Sequence, residues 1–280
     1  MMYTIKDSKK KNIIEAYDKE GKCVGEAVIW PSIASDIHEG PRINIYIDID
    51  INDIEDRDEL KDQMFDEVMK RSQTIRDKYK ETEAYKDFSV KVYHCCFSDN
   101  KENIDYYSSK EGFKNDEGMY VIKKELTKEK LETKEIKGID FCKLKFEDEH
   151  EMAELVEKQN KVFTKGYSIE DLKDLKSKNQ WFSIAAKHEE EIVGNIVLVV
   201  KESESKVKYG WVDDLFVSKE WRKLGIGEKL LLKAFEELLT LNIKESRLEV
   251  WSDNKRALSV YKSVGYEFYK QTECSIGIFL

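Results

Sequence analysis

The chain has 280 residues, 40% of them hydrophobic and 11% aromatic, enough to bury a substantial core in one large domain or two of ordinary size. Its formal charge of −9 is shared by two acidic halves, which argues against a nucleic-acid binder held by phosphate contacts. Five cysteines with no CxxC pair and four scattered histidines give no basis for a closed disulfide framework or a zinc cluster.

The opening "MMYTIKDSKKKN" has no apolar leader region, and no run reaches membrane-spanning length. A soluble cytoplasmic protein with reduced thiols is expected, with no metal, no nucleic acid and no membrane partner, as a monomer or homodimer. The excess of Lys over Arg suggests an AT-rich bacterial genome. In the N-terminal half, "VGEAVIW" and "INIYIDI" read as strands. The loop "DINDIEDRDEL" follows, carrying Asp50, Asp53, Glu55, Asp56, Asp58 and Glu59, and then a long helical region from Glu59 to Glu83. His94 in "VYHCCF" reads as a core histidine, and "NKENIDYYSSKEGF" as a helix closed near Gly112. The charged stretch Thr127–Gly138 is the expected linker, so that residues 1–126 and 139–280 form the two domains.

The second half repeats this order. "IDFCKLKF" alternates as a strand, and "DEHEMAELVEKQNKVF" is helical in period with acids in its first turn. "SIEDLKDLKS" opens on Ser168 with an acid three residues on, the pattern of a capping box. "WFSIAAKHEEEIVGNIVLVV" is two strands joined at an acidic turn, Glu189–Glu191, and "KVKYGWVDDLFVS" is a further strand. A basic turn, "RKLGIG", leads into the amphipathic helix "IGEKLLLKAFEELLTL". A strand "ESRLEVWS", a helix "NKRALSVYKSVG" and a last strand "ECSIGIFL" complete the chain. "VGEAVIW" resembles "VGNIVLVV", while Asn100 and Tyr107 answer Asn254 and Tyr261, so the chain reads as a duplicated domain. Strands interrupted by helices indicate an α/β (α+β) mixed sheet covered on both faces.

At "RKLGIG" a strand enters a turn that opens into a helix, so free backbone N–H groups and the positive end of the helix dipole favour a phosphate. Gly225 and Gly227 would let backbone approach the ligand where a Cβ would intrude, and Arg222 and Lys223 add countercharge. A P-loop would need Lys-Ser/Thr after Gly227, where Glu228 stands, and a dinucleotide fingerprint would need glycine in place of Leu230.

The order "VDDLFV…WRKLGIGEKLLL…LEVWSDNKRALSVYKSVGY" resembles the GNAT superfamily of N-acetyltransferases. "RKLGIG" is similar to its pyrophosphate loop, and "NKRALSVYKSVGY" to its later Asn–Tyr–Gly segment. The resemblance covers about Ile139 to Leu280, with the first half as a diverged copy. It implies two tandem domains, each a twisted, mostly antiparallel sheet with helices on both faces, and acetyl-CoA as co-substrate. Residues Arg222, Lys223, Leu224, Gly225, Ile226, Gly227 and Glu228 would then hold its pyrophosphate. The backbone of Leu215, Phe216 and Val217 would pair with its pantetheine arm, and Asn254 would cap a helix or contact the arm.

Acyl transfer to an amine needs a base for the ammonium, donors for the carbonyl oxygen and an acid for the leaving thiolate. "WVDDLFV" is similar to a pattern of family members acting on polyamines and related small amines. Asp213 is thus a candidate base or amine anchor. Asp214 is a second candidate, with a structural alternative in capping a loop or pairing with Arg247, and Glu249 is in reserve. Tyr261 is the candidate acid by resemblance. The N-terminal copy, with its acidic loop in place of the glycine turn, is expected to lack the cofactor site. The expected activity is N-acetylation of a small primary amine. A peptide N-acetyltransferase and a non-catalytic acyl-CoA sensor are the alternatives.

Overall fold

The computed structural model describes residues 3–34, 37–38, 40–127, 135–147, 149–163, 166–177 and 180–280; most of the expected linker 127–138 lies outside the described residues. In chain order the elements are β1 (Thr4–Asp7), β2 (Ile13–Tyr17), β3 (Cys23–Ala34), β4 (Arg42–Ile51), α1 (Arg57–Lys80), β5 (Ser89–Phe97), α2 (Lys101–Ser108) and β6 (Lys114–Glu125). They continue as β7 (Asp140–Leu144), α3 (Glu149–Asn160), α4 (Ile169–Ser177), β8 (Trp181–His188), β9 (Glu191–Glu202), β10 (Lys208–Val217), α5 (Ile226–Thr240), β11 (Glu245–Trp251), α6 (Lys255–Ser263) and β12 (Glu267–Phe279).

The chain packs as two units. One comprises Met1–Met119, Trp251–Lys255 and Gln271–Leu280, and the other Tyr120–Val250 and Arg256–Lys270. The segments Trp251–Lys255 and Gln271–Leu280, expected with the C-terminal domain, therefore pack in the first unit. There Glu273–Phe279 of β12 run antiparallel to β5, from Phe97 back to Lys91.

In the first unit the strand order is β1-β2-β3-β4-β5-β12, antiparallel except for β4 beside β5. Alternation in β4 decides the faces: Ile43, Ile45, Ile47, Ile49 and Ile51 are all 5% exposed or less. Against them packs the apolar stripe of α1, Leu60, Met64, Phe65 and Val68, together with Tyr107 of α2. Both helices of this unit thus lie on one face, because β1, β2 and β3 follow one another with no helix between them. The two-sided cover expected of each domain is found in the second unit.

The opposite face of the first unit carries a buried ion cluster. Arg42 donates to both oxygens of Glu117 (2.8 and 3.0 Å), and Lys91 Nζ reaches Glu117 at 2.7 Å and Asp116 at 3.1 Å. Arg42 Nη2 donates to His38 Nε2 (2.8 Å), and His38 Nδ1 donates to Asp253 (2.9 Å). Burial tends to raise the Glu117 pKa, but its bonds to Arg42 and Lys91 outweigh this and hold it near 2. The folded-state value lies below the usual 4.5, so the stabilisation is complete above 4.5 and is lost as pH falls toward 2. Glu117→Gln would leave two buried cations under-compensated and is expected to destabilise the chain by about 3–5 kcal/mol, read from urea unfolding at neutral pH. His38, Glu117 and Asp253 are close enough to share a metal ion. Arg42 and Lys91 stand against the same carboxylates and supply much of their countercharge.

In the second unit the order is β11-β10-β9-β8-β7, antiparallel except for β10 beside β11. Leu230, Leu231, Ala234, Phe235 and Leu238 of α5 pack on one face with Ile196, Leu198 and Val212, joined by residues of α6. Met152 and Leu155 of α3 and Leu172 and Leu175 of α4 cover the other face over Ile192, Val197 and Phe216. Ser168 caps α4 as its pattern indicates: its Oγ accepts from Asp171 N (3.1 Å), and Asp171 accepts from Ser168 N (2.8 Å). Among the described residues, no helix is long and apolar enough to cross a membrane.

Candidate active site

The site begins where two parallel strands part. β10 pairs with β11 only from Gly210 to Val212, opposite Ser246 to Leu248. On its other side β10 stays paired with β9 to its end, Leu215 opposite Ile196, Phe216 opposite Asn195 and Val217 opposite Gly194. Residues Asp213–Val217 therefore have a one-sided ladder, and their β11-facing edge offers backbone donors and acceptors without a strand partner. The side chains of Leu215, Phe216 and Val217 are core, as expected: Phe216 is 2% exposed, and Leu215 and Val217 pack against the α5 cluster.

The two aspartates do not alternate across a regular strand. The register with β9 shifts between Val212 and Asp214, making Asp213 the extra residue of a β-bulge. Asp213 is exposed, and its Oδ2 accepts from the Tyr167 hydroxyl at 2.5 Å. Asp214 is partly buried, and its Oδ2 has neither solvent nor a hydrogen-bond partner. Burial pushes the Asp214 carboxyl up to about 7. A hydrogen bond from Gln159 opposes that rise, and the charge of Asp213 adds to it. Arg247 pairs with Glu245 and lies over the Tyr209 ring, which leaves the expected Asp214–Arg247 pairing unmade.

Tyr261, on α6, packs edge-on against Tyr266, with ring centroids 5.8 Å apart. Burial raises its hydroxyl above the ordinary tyrosine value, and the nearby charge of Asp214 raises it further. Asp214 thus lies within electrostatic reach of Tyr261. Glu249, the reserve base, is exposed on β11.

At the far end of β10 the chain makes a 3-10 turn, Lys219–Trp221, then Lys223 and Gly225 both adopt positive φ (66° and 85°). Gly225 is the N-cap of α5, and a Cβ there would meet only Ile136 at 3.9 Å. Conformation, and not crowding, demands glycine at this position. Gly227 differs: its missing side chain faces Val260 of α6 and Val217 of β10, at 3.7 and 3.8 Å from where a Cβ would stand. The first-turn amides of α5 therefore border the gap between the end of β10 and α6. Arg222 turns back, its Nε donating to Val217 O at 3.1 Å, and so ties the turn to the strand. Lys223 and Leu224 are exposed, while Ile226 is 1% exposed and belongs to the core. Glu228 accepts from Ser263 at 3.3 Å. Asn254 stands just before α6, its N–H bonded to Trp251 O (2.9 Å), in the segment that packs with the first unit.

Gln159 and Tyr167 were not legible as site residues. Gln159 lies in an ordinary helical pattern, and Tyr167 follows a loop glycine; only the packing of α3 against the sheet brings them to the aspartates. In the first unit Tyr107, the counterpart of Tyr261, is fully buried and stacked on His94 at 4.1 Å. His94 is 2% exposed with Nδ1 on Ile47 O (3.0 Å), the core histidine its setting suggests.

Residues 150–266 match the model of the acetyltransferase (GNAT) family. The chain is 32% identical over 82 residues to the thialysine N-epsilon-acetyltransferase of Bos taurus, covering 29% of this chain and 48% of that one. It is 27% identical over 123 residues to N-alpha-acetyltransferase 30 of Xenopus laevis, covering 44% and 45%. It thus spans about half the length of these curated relatives. A GCN5-related N-acetyltransferase from Sphaerobacter thermophilus shares the fold across 96% of this chain and 81% of its own, with a TM-score of 0.50 at 16% identity.

Proposed function

From the match of residues 150–266 to the acetyltransferase (GNAT) family, we propose that the chain is an acetyl-CoA-dependent N-acetyltransferase acting on a small primary amine. The observation that carries this reading is the one-sided edge Asp213–Val217, flanked by a buried carboxylate and a tyrosine and ending in a glycine turn at a helix start.

The residues present fit the co-substrate. First-turn amides of α5 would take its pyrophosphate, with Lys223 as countercharge, and Gly227 keeps open the gap that a side chain would enter. The free edge of Leu215–Val217 suits an extended arm pairing as an added strand. When bound, acetyl-CoA supplies an acyl thioester.

Asp214 is proposed as the base: its Oδ2 takes the proton of the acceptor ammonium, freeing the nitrogen lone pair for attack. As the new N–C bond forms and the C–S bond breaks, Tyr261 gives its proton to the departing sulfur, and the second proton of the acylated nitrogen passes to the phenolate so that Tyr261 is restored. Its raised pKa keeps the hydroxyl protonated at neutral pH. Backbone N–H groups on the β10 edge would stabilise the carbonyl oxygen. Asp213, exposed and bonded to Tyr167, is better suited to anchor the acceptor than to abstract a proton.

The small-amine reading draws on the two carboxylates and on the similarity to the bovine thialysine enzyme. It is tested by following acetyl-CoA consumption against monoamines, diamines, thialysine and peptides. Turnover confined to peptides, or to none of them, would overturn it. The acid limb of kcat/KM against pH is expected near 7, because the base works only when ionised, and this limb should be missing in Asp214→Asn.

A further inference from the structure

Between α1 and α2 of the first unit lies an open pocket of about 440 Å³, lined by Tyr106, by three cations, Arg57, Lys61 and Lys110, and by three acids, Asp58, Asp62 and Glu102. The charges are unevenly matched. Arg57 Nη2 donates to Glu102 at 2.7 Å, and Asp62 accepts from both Lys110 and the Tyr106 hydroxyl. Lys61 has no such carboxylate among the described residues. It is 3% exposed, its one hydrogen bond goes to Asn103 Oδ1 at a long 3.4 Å, and its Nζ lies over the Tyr106 ring, 4.1 Å from the centroid. An ammonium carries three donors, so this buried charge is left short of acceptors. Burial accordingly pulls its pKa below the ordinary lysine value.

We propose that this pocket is a binding site for a small carboxylate anion, with Lys61 as the group that meets the carboxylate. The ligand's charge follows from the lining. One ammonium is short of one negative charge, and a monoanion supplies it. A phosphate dianion would be repelled more strongly by Asp58, Asp62 and Glu102, which line the same pocket. The ligand's size follows from the repeat. Tyr107 answers Tyr261 at an offset of 154 residues, so Tyr106 answers Val260, which faces Gly227 in the second unit. The first unit thus keeps a gap between the corresponding pair of helices. It does not keep a free strand edge beside it. The β4–β5 ladder ends at Tyr46 and Tyr93; beyond it His94 Nδ1 donates to Ile47 O at 3.0 Å, and Tyr107 stacks on the His94 ring. An extended arm has no open edge to join there, so the pocket suits a short ligand held by charge.

The test is an NMR titration of the full chain with sodium butyrate, against sodium chloride at equal ionic strength, followed through the backbone amides of α1 and α2. Acetyl-CoA is left out, so the result does not depend on the proposed acetyl transfer. Butyrate is expected to shift the amides of Arg57–Asp62 and Tyr106–Lys110 along a saturating curve, and inorganic phosphate to bind there more weakly. Lys61→Met keeps the buried stem and removes the charge. It should weaken butyrate by about tenfold or more, the size of one charge-assisted hydrogen bond. Glu102→Gln removes a rim acid and releases Arg57, so it should tighten butyrate by about two- to fivefold. Shifts no larger than those in chloride, phosphate binding more tightly than butyrate, or equal affinity in wild type and Lys61→Met would each overturn the proposal. Should Lys61→Met fail to fold, Glu102→Gln decides: tighter binding supports the site, and unchanged or weaker binding overturns it.

Discussion

Asp214→Asn is expected to lower kcat by about 10²–10⁴-fold, the usual range for removing a general base, while affinity for CoA stays nearly unchanged. The argument is environmental. Asp214 has a carboxylate oxygen with no solvent and no partner, and burial carries its pKa to about 7, where a base exchanges protons readily at neutral pH. The same feature fixes the sign of the stability change. The folded-state pKa lies above the usual 3.8, so the folded chain binds this proton more tightly than the unfolded chain. Stability from this group is greatest at low pH and is lost as pH rises from 3.8 through 7. At pH 8 the Asn variant should therefore melt at a higher temperature than wild type while working far more slowly, the pattern of a residue kept for activity at a cost in stability. Steady-state kinetics and a thermal melt on the same preparation check both halves. A kcat within about twofold of wild type, against the range expected for a base, would shift the role to Asp213 or Glu249.

Gly227→Asp is expected to weaken CoA binding by about 100-fold or more, equivalent to about 2.7 kcal/mol, without unfolding the chain. Position 227 is the second residue of α5, where an acid is favourable to the helix by roughly 0.3–1 kcal/mol. A Cβ there meets only ordinary contacts with Val260 and Val217. The fold thus tolerates the change, and the loss should fall on the ligand, whose phosphates would face a carboxylate in place of free amides. Gly225 is a poorer probe, because its φ of 85° strains any side chain and would mix folding with binding. Calorimetry with CoA gives the measurement, and an unchanged Kd would remove the pyrophosphate from this turn.

Several parts of the site can be read directly from residues. The glycine turn, the helix it opens and the Ser168–Asp171 cap are local signals. Each depends on residues within a few positions, where backbone conformation and short-range hydrogen bonding decide the outcome. The alternating isoleucines of β4 likewise announce a buried face. The motifs that carry the family resemblance come in sequence on β10, α5, β11 and α6.

The amino-acid sequence by itself determined the duplicated α/β plan and the glycine turn with its helix, because these are written in periodicity and caps, while the family resemblance supplied the two aspartates and the tyrosine as candidates. Only the tertiary structure decided that β10 bulges at Asp213, that its ladder with β11 stops at Val212, and that Asp214 is the partly buried acid with an oxygen shut off from solvent. It alone brought Tyr167 to Asp213, 46 residues away, and Arg42 to Glu117, 75 residues away. It also gave the end of β12 to the first unit. Register shifts and long-range pairings are settled by competition among packed surfaces, where a single inserted residue redirects a side chain without any mark in local propensity.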